Sequence, residues 1–170
     1  FRDGLNSWEL GDPTTSTIQP YLGTDDIDPG NSWVTNLSGS YGNGERSYVF
    51  SPTFDLSMLE RPMIQFDIAK DLEAQDGVVL EYSTDSLNIR DPKKEWFPLA
   101  EAIDEGIDWF NAAGLASQPG DKNGNLTALG WAGTNSTWVK AKHDLALIYD
   151  GIDDQTERDA IMSRVNFRIG

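Results

Sequence analysis

His143 is the chain's one histidine, so any Ser-His-Asp relay or imidazole acid–base step must run through it. Its orienter would have to be Asp144, yet adjacent side chains of a strand point to opposite faces. No G-x-S-x-G elbow supplies a nucleophile. His143 therefore reads as an ordinary strand-end residue, and a zinc site of several imidazoles is excluded. Asp67 and Glu81 offer a second chemistry. They share a sheet face if the runs 62–68 and 77–83 pair as a hairpin in the suitable register. Glycoside hydrolysis uses two carboxyl groups held about 5–9.5 Å apart in this way. A solvated sheet face produces the same alternation, and the E-x-D-x-x-E spacing of jelly-roll glucanases is absent. The pair reads as solvent-facing, and the chain as non-catalytic.

Oxygen ligands for a hard cation recur at alternate positions in Asp26-Ile27-Asp28-Pro29-Gly30, with Asp25 beside them. Asp121-Lys122-Asn123-Gly124-Asn125 has the same spacing. Neither run ends in the glutamate that closes an EF-hand loop; in the first, the twelfth position is Leu37. A structural calcium ion held by Asp25, Asp26 and Asp28 is the cofactor expectation, against a turn rich in these residues for conformational reasons. The six tryptophans raise sugar stacking, because an indole face matches the C–H face of a pyranose. Trp33 and Trp138 lie in alternating runs and are expected in the core. Trp109 and Trp131 lie by turns and are the expected exposed, ligand-binding pair. Three N-x-S/T sequons begin at Asn36, Asn125 and Asn135.

Strands are the elements that must position these groups. Ile64, Phe66 and Ile68 alternate with Met63, Gln65 and Asp67, and Val78, Leu80 and Tyr82 alternate with Val79, Glu81 and Ser83. A polar loop closing on Asp76-Gly77 joins the two runs into an expected hairpin. Further strands are predicted around Leu5–Leu10, Ile18–Leu22, Ser32–Leu37, Ser47–Phe50, Thr53–Leu56, Glu95–Leu99, Ser136–Lys142 and Val165–Ile169. Pro52 cannot donate to a ladder, so it marks a sheet edge or a crossing between sheets. Residues 114–135 read as a long loop around Trp131. The run Asp154-Gln155-Thr156-Glu157 has capping-box spacing and predicts one short helix near 155–163.

Length and composition fit one all-β domain. At 170 residues, ~70% of the unfolded chain's surface can be buried. Sixteen Gly and eight Pro are spread along the chain, as many short strands and turns require. Twenty-eight acidic against thirteen basic residues give a net charge of −15. That field repels phosphate backbones and anionic lipid, which argues against nucleic acid and membrane-surface partners. No apolar run is long enough to span a bilayer. The absence of cysteine excludes disulfides and thiolate metal sites. The chain opens at Phe1 and stops at Gly170 just after a strand-like run, and both ends read as cut from a larger multidomain protein.

Five phrases in order carry a resemblance: WVTNLSGSY at 33–41, SYVFSPTFDLS at 47–57, RPMIQFDI at 61–68, DGVVLEYSTD at 76–85 and WVKAKHDL at 138–145. Together they resemble the MAM-like, concanavalin-type jelly-roll modules of large secreted proteins in gliding and related Bacteroidota. The resemblance implies a jelly-roll β-sandwich of two antiparallel sheets over residues 1–170. It also implies a mostly non-catalytic role in a secreted or cell-surface protein exported by the type IX route. The expected function is adhesion or interaction, with neighbouring domains of the same chain and a cell-surface glycan or protein as partners. The alternative is a carbohydrate-binding module attached to a polysaccharide-degrading enzyme. Asp85-Ser86-Leu87 resembles the short O-glycosylation motif of these bacteria. Ser86–Lys94 is longer and more charged than the family's usual turn, and the helix near 155–163 reads as an insertion.

Overall fold

The computed structural model describes residues 32–36, 39–115, 128–135 and 137–170, with the backbone of residues 9–10 and 19–21. Its strands are β1 (Glu9–Leu10), β2 (Gln19–Tyr21), β3 (Ser32–Val34), β4 (Val49–Phe50), β5 (Met63–Ile68), β6 (Leu80–Ser83), β7 (Phe97–Pro98), β8 (Val139–Asp144) and β9 (Asn166–Ile169), with one helix, α1 (Gln155–Met162). One antiparallel sheet runs β1, β4, β9, β6, β7; β5 and β8 form the second, and β2 and β3 pair separately. The chain crosses between the two main sheets from β4 to β5, returns at β6, crosses again to β8 and returns at β9. Such shuttling is the connectivity a jelly roll requires, and the fold is the all-β sandwich expected.

Alternation in β5 does what it predicts: Met63, Gln65 and Asp67 are exposed, while Ile64, Phe66 and Ile68 pack on the core. The partner of β5 differs from expectation. It pairs with β8, Ile64 opposite His143 and Asp67 opposite Lys140, whereas β6 lies in the other sheet between β9 and β7. The expected hairpin is therefore a crossover. Alternation fixes which face a residue occupies but not which strand lies beside it, and that choice is made by non-local packing.

In β6, Leu80 and Tyr82 pack on the core with Phe167 and Ile169 of β9, as predicted for one face. The opposite face is not solvated. Glu81, Ser83 and Asn166 are all buried, so β6 is covered on both sides. Between β4 and β9 the ladder runs Phe50 opposite Arg168 and then Phe54 opposite Val165. Four steps on one strand against three on the other make a one-residue bulge at Ser51-Pro52-Thr53. Pro52 has no N–H to give, and the Ser51 hydroxyl accepts from the Phe167 N–H at 2.7 Å in place of a carbonyl. The proline expected at an edge or crossing thus sits in a bulge. Helix α1 starts where predicted, with the Asp154 side chain accepting from the Glu157 N–H at 2.8 Å.

At the centre lies an aromatic cluster. The Trp131 ring meets Phe110 at 4.6 Å, Trp109 at 5.0 Å and Phe66 at 5.6 Å, each edge to face. Trp131 is also joined to Val78 by a reciprocal pair of backbone hydrogen bonds, so part of the expected long loop is sheet-like pairing. Next to it, Gly130 lies so near Val78 that a Cβ would stand 2.5 Å from the Val78 carbonyl oxygen. Only glycine permits that approach.

Candidate functional site

The structure reverses the expected division among the tryptophans. Trp109 and Trp131, expected at the surface, are 3% and 1% exposed; their indole N–H groups donate to the carbonyls of Leu99 and Asp108. A sugar cannot stack on either ring while the core is closed. Trp33 and Trp138, expected inside, are only partly buried. Closeness to a turn says little about burial when the turn itself folds inward, as the segment around Asp108 does. Asp108 holds a left-handed φ of 46° there and presents its carbonyl to Trp131.

Nor are the chemistry-bearing groups brought together. Asp67 pairs with Lys140 at 2.9 Å on the exposed face of the β5–β8 sheet. Glu81 belongs to the five-stranded sheet and pairs with Arg168 at 2.5 Å. His143 is buried with its ring 4.9 Å from Trp109, and its Nδ1 contacts the Asp144 carbonyl. Asp67 and Glu81 thus occupy different sheets, and the shared face expected of them does not form. Asp25, Asp26 and Asp28 lie outside the described residues, as does the run from Asp121 to Asn125. Among the described residues no group of three or more His, Asp or Glu could hold a metal ion. At the sequon of Asn135, the side-chain amide is consumed by Ile68, Lys70 and Thr137.

Around Glu81 the buried face is electrostatically organised. Arg168 spans Tyr48 and Trp96, its guanidinium carbon 4.2 and 4.7 Å from the two ring centroids. Burial holds the Tyr48 hydroxyl above its ordinary range, with the Glu81 carboxylate pushing the same way and Arg168 and Arg46 opposing. Burial also raises Tyr82, helped by Glu101. Above the unfolded value of 10.0 the native state therefore keeps phenolic protons that the unfolded chain releases. This contribution to stability is complete below pH 10.0 and is lost as pH rises through the higher native values. Buried Lys94, whose value is lowered mainly by burial, works in the opposite direction over its own range below 10.5. Denaturation from pH 9 to 11 is expected to show a Tyr48→Phe variant losing less stability above pH 10 than the parent. Equal losses would show that Tyr48 titrates as it does in water.

One concavity gathers polar side chains. A groove of about 500 Å³ runs between the bulge at Ser51-Pro52-Thr53 and the loop 85–89, with Arg164 and Asn166 completing its lining. The loop is fastened from beneath. Lys94, itself buried, donates through its ammonium to the Asp85 and Leu87 carbonyls. Side chains of Asp85, Asn88 and Asp91 each accept from the N–H two residues on, at 2.8, 3.0 and 2.9 Å. Arg164 Nε donates to the Thr84 carbonyl at 2.8 Å, and Asn166 Nδ2 donates to Thr53 Oγ1 at 2.9 Å. Sequence reasoning missed Lys94, Arg164 and Asn166. The available signals were the proline inside a strand and the three aspartyl or asparaginyl turns; neither identifies a buried lysine or the strand that meets them.

Comparison with known proteins gives no match to a family model, a curated protein or a solved structure. Among the described residues no helix is long and apolar enough to cross a membrane.

Proposed function

We propose that the domain is a non-catalytic adhesion or interaction module of a large secreted or cell-surface bacterial protein, meeting its partner through loops carried on a rigid sandwich. The observation that carries this reading is the groove between the bulge and the loop 85–89. Its walls are fixed by backbone hydrogen bonds and a buried lysine, so a partner meets a surface already in shape, which lowers the ordering cost of binding. The side chains able to do acid–base chemistry serve the frame instead: Asp67 holds Lys140, Glu81 holds Arg168, and His143 packs on Trp109. A carbohydrate-binding module would have to bind sugar away from Trp109 and Trp131.

Retention of the labelled domain on intact bacterial cells and on immobilised cell-wall polysaccharide tests the reading. Specific retention with the polysaccharide recovered unshortened is expected. No retention on either surface would sink the adhesion role, and shortened product abolished by Glu81→Gln would sink the non-catalytic one. The calcium expected at Asp25, Asp26 and Asp28 predicts a melting temperature that falls in excess EDTA and recovers with added calcium. An unchanged melt removes the ion from the account.

A further inference from the structure

Strand β5 carries an open edge. Ile107 exchanges backbone hydrogen bonds with Lys142, so the Lys142 backbone points away from β5. Its opposite residue, Gln65, therefore sits in a non-hydrogen-bonded pair and points its own N–H and C=O away from β8. By alternation Met63 and Asp67 do the same, while Pro62, on the other phase, gives its carbonyl to Leu145. Among the described residues no backbone group meets those of Met63, Gln65 and Asp67.

Two other edges are guarded. β7, at the rim of the five-stranded sheet, is two residues long and contains Pro98, and Ile107 covers the outer side of β8. β5 has six residues, no proline within it and an unbroken register. A long unprotected edge is a template for another strand. The side chains beside it lack a neighbour. Ile64 and Phe66 face the core yet stay partly exposed, and Met63 is 52% exposed.

The strand fits its own copy. An antiparallel partner must bring outward-pointing groups to outward-pointing groups. With a twofold axis at Gln65, Gln65 faces Gln65 and Met63 faces Asp67 of the second copy, so all three residues exchange both backbone bonds. The two carboxamides then hydrogen-bond each other, and Ile64 meets Phe66 of the second copy on the core side. On the outer face Asp67 and Asp144 are matched by Lys140 and Lys142, with Lys140 at 2.9 Å from Asp67. In a chain carrying −15, this face can approach its copy without local repulsion. No like charges stand opposite each other in that register. Joining the two edges leaves neither free, so association stops at two.

We propose that β5 is a homodimer interface, at which two copies of this domain pair antiparallel about Gln65 to make one four-stranded sheet of β8, β5 and their mates. None of its residues lines the groove, and the interface holds or fails independently of the interaction reading above.

Sedimentation of the 170-residue domain between about 1 µM and about 1 mM tests it, with amide hydrogen exchange at both ends of that range. A monomer–dimer equilibrium without larger species is expected, with exchange at Met63, Gln65 and Asp67 slowing as concentration rises. Gln65→Glu and Gln65→Lys each set like charges on the axis from an exposed position, and each is expected to weaken the dimer about tenfold. An equimolar mixture of the two variants is expected to recover it, because a twofold axis at Gln65 sets the two substituted side chains opposite each other. A domain monomeric at the highest concentration, assembly beyond the dimer, or a dimer indifferent to both variants would each overturn the interface. So would a mixture that fails to recover. Slow exchange at those three amides in the dilute monomer would show the edge already covered within the chain, and would overturn it equally.

Discussion

Trp131→Ala is expected to lower the free energy of unfolding by about 3–5 kcal/mol. Four losses act together at this position. The indole is 1% exposed, so its whole apolar surface is withheld from water in the folded state. Its edges meet Phe66, Trp109 and Phe110, and these three rings cannot all collapse into the space it leaves. Its Nε1 donates to Asp108, whose left-handed backbone would lose the bond that holds it. The neighbouring Gly130 is held against Val78, so the backbone has little freedom to move into the cavity. For a domain with a total stability of 5–15 kcal/mol, such a loss approaches global unfolding. Trp131→Phe keeps a ring and is expected to cost less, giving a measurable intermediate. Urea denaturation of both variants supplies the check. A loss under about 1 kcal/mol for Trp131→Ala would mean that the indole is not the centre of the core.

What could be read from the residues beforehand, and what could not, divides by the range of the interactions. Local patterns held. The alternation of Ile64, Phe66 and Ile68 places those side chains inward, and the capping residue Asp154 starts the helix where its spacing predicts. Val165, Phe167 and Ile169 share a core face for the same reason. Each of these depends on neighbours within a few residues. The errors all concern distant partners. Asp76-Gly77 reads as a hairpin turn, yet β5 finds β8 more than 70 positions further on, Asp67 meeting Lys140. Glu81 occupies a polar position of an alternating run and reads as solvated, yet that face of β6 is covered and Arg168 neutralises it. Trp109 and Trp131 lie beside turns that fold back over the core. The groove is illegible for the same reason: its lining comes from residues 51–53, 85–89, 164 and 166, which no single window contains.

Arg168→Ala is expected to be the second costly change, and its size depends on what it leaves behind. Glu81 is 4% exposed, and removing its partner strands a carboxylate where water cannot readily replace the guanidinium. Breaking a buried pair from one side costs about 3–5 kcal/mol; the Arg168 side chain keeps 19% of its accessibility, which favours the lower part of that range. The substitution also removes the cation stacked on Tyr48 and Trp96. Glu81→Gln should cost less, since a neutral amide can still accept from Arg168 and leaves the stacking in place. The decisive variant is the double one, Glu81→Leu with Arg168→Met, which strands no charge and fills the same space with apolar groups. It is expected to be more stable than Arg168→Ala alone, because desolvating the two charges offsets much of their attraction in the native protein. Strictly additive losses in a cycle of Glu81→Leu, Arg168→Met and the double variant would mean that the pair is not coupled.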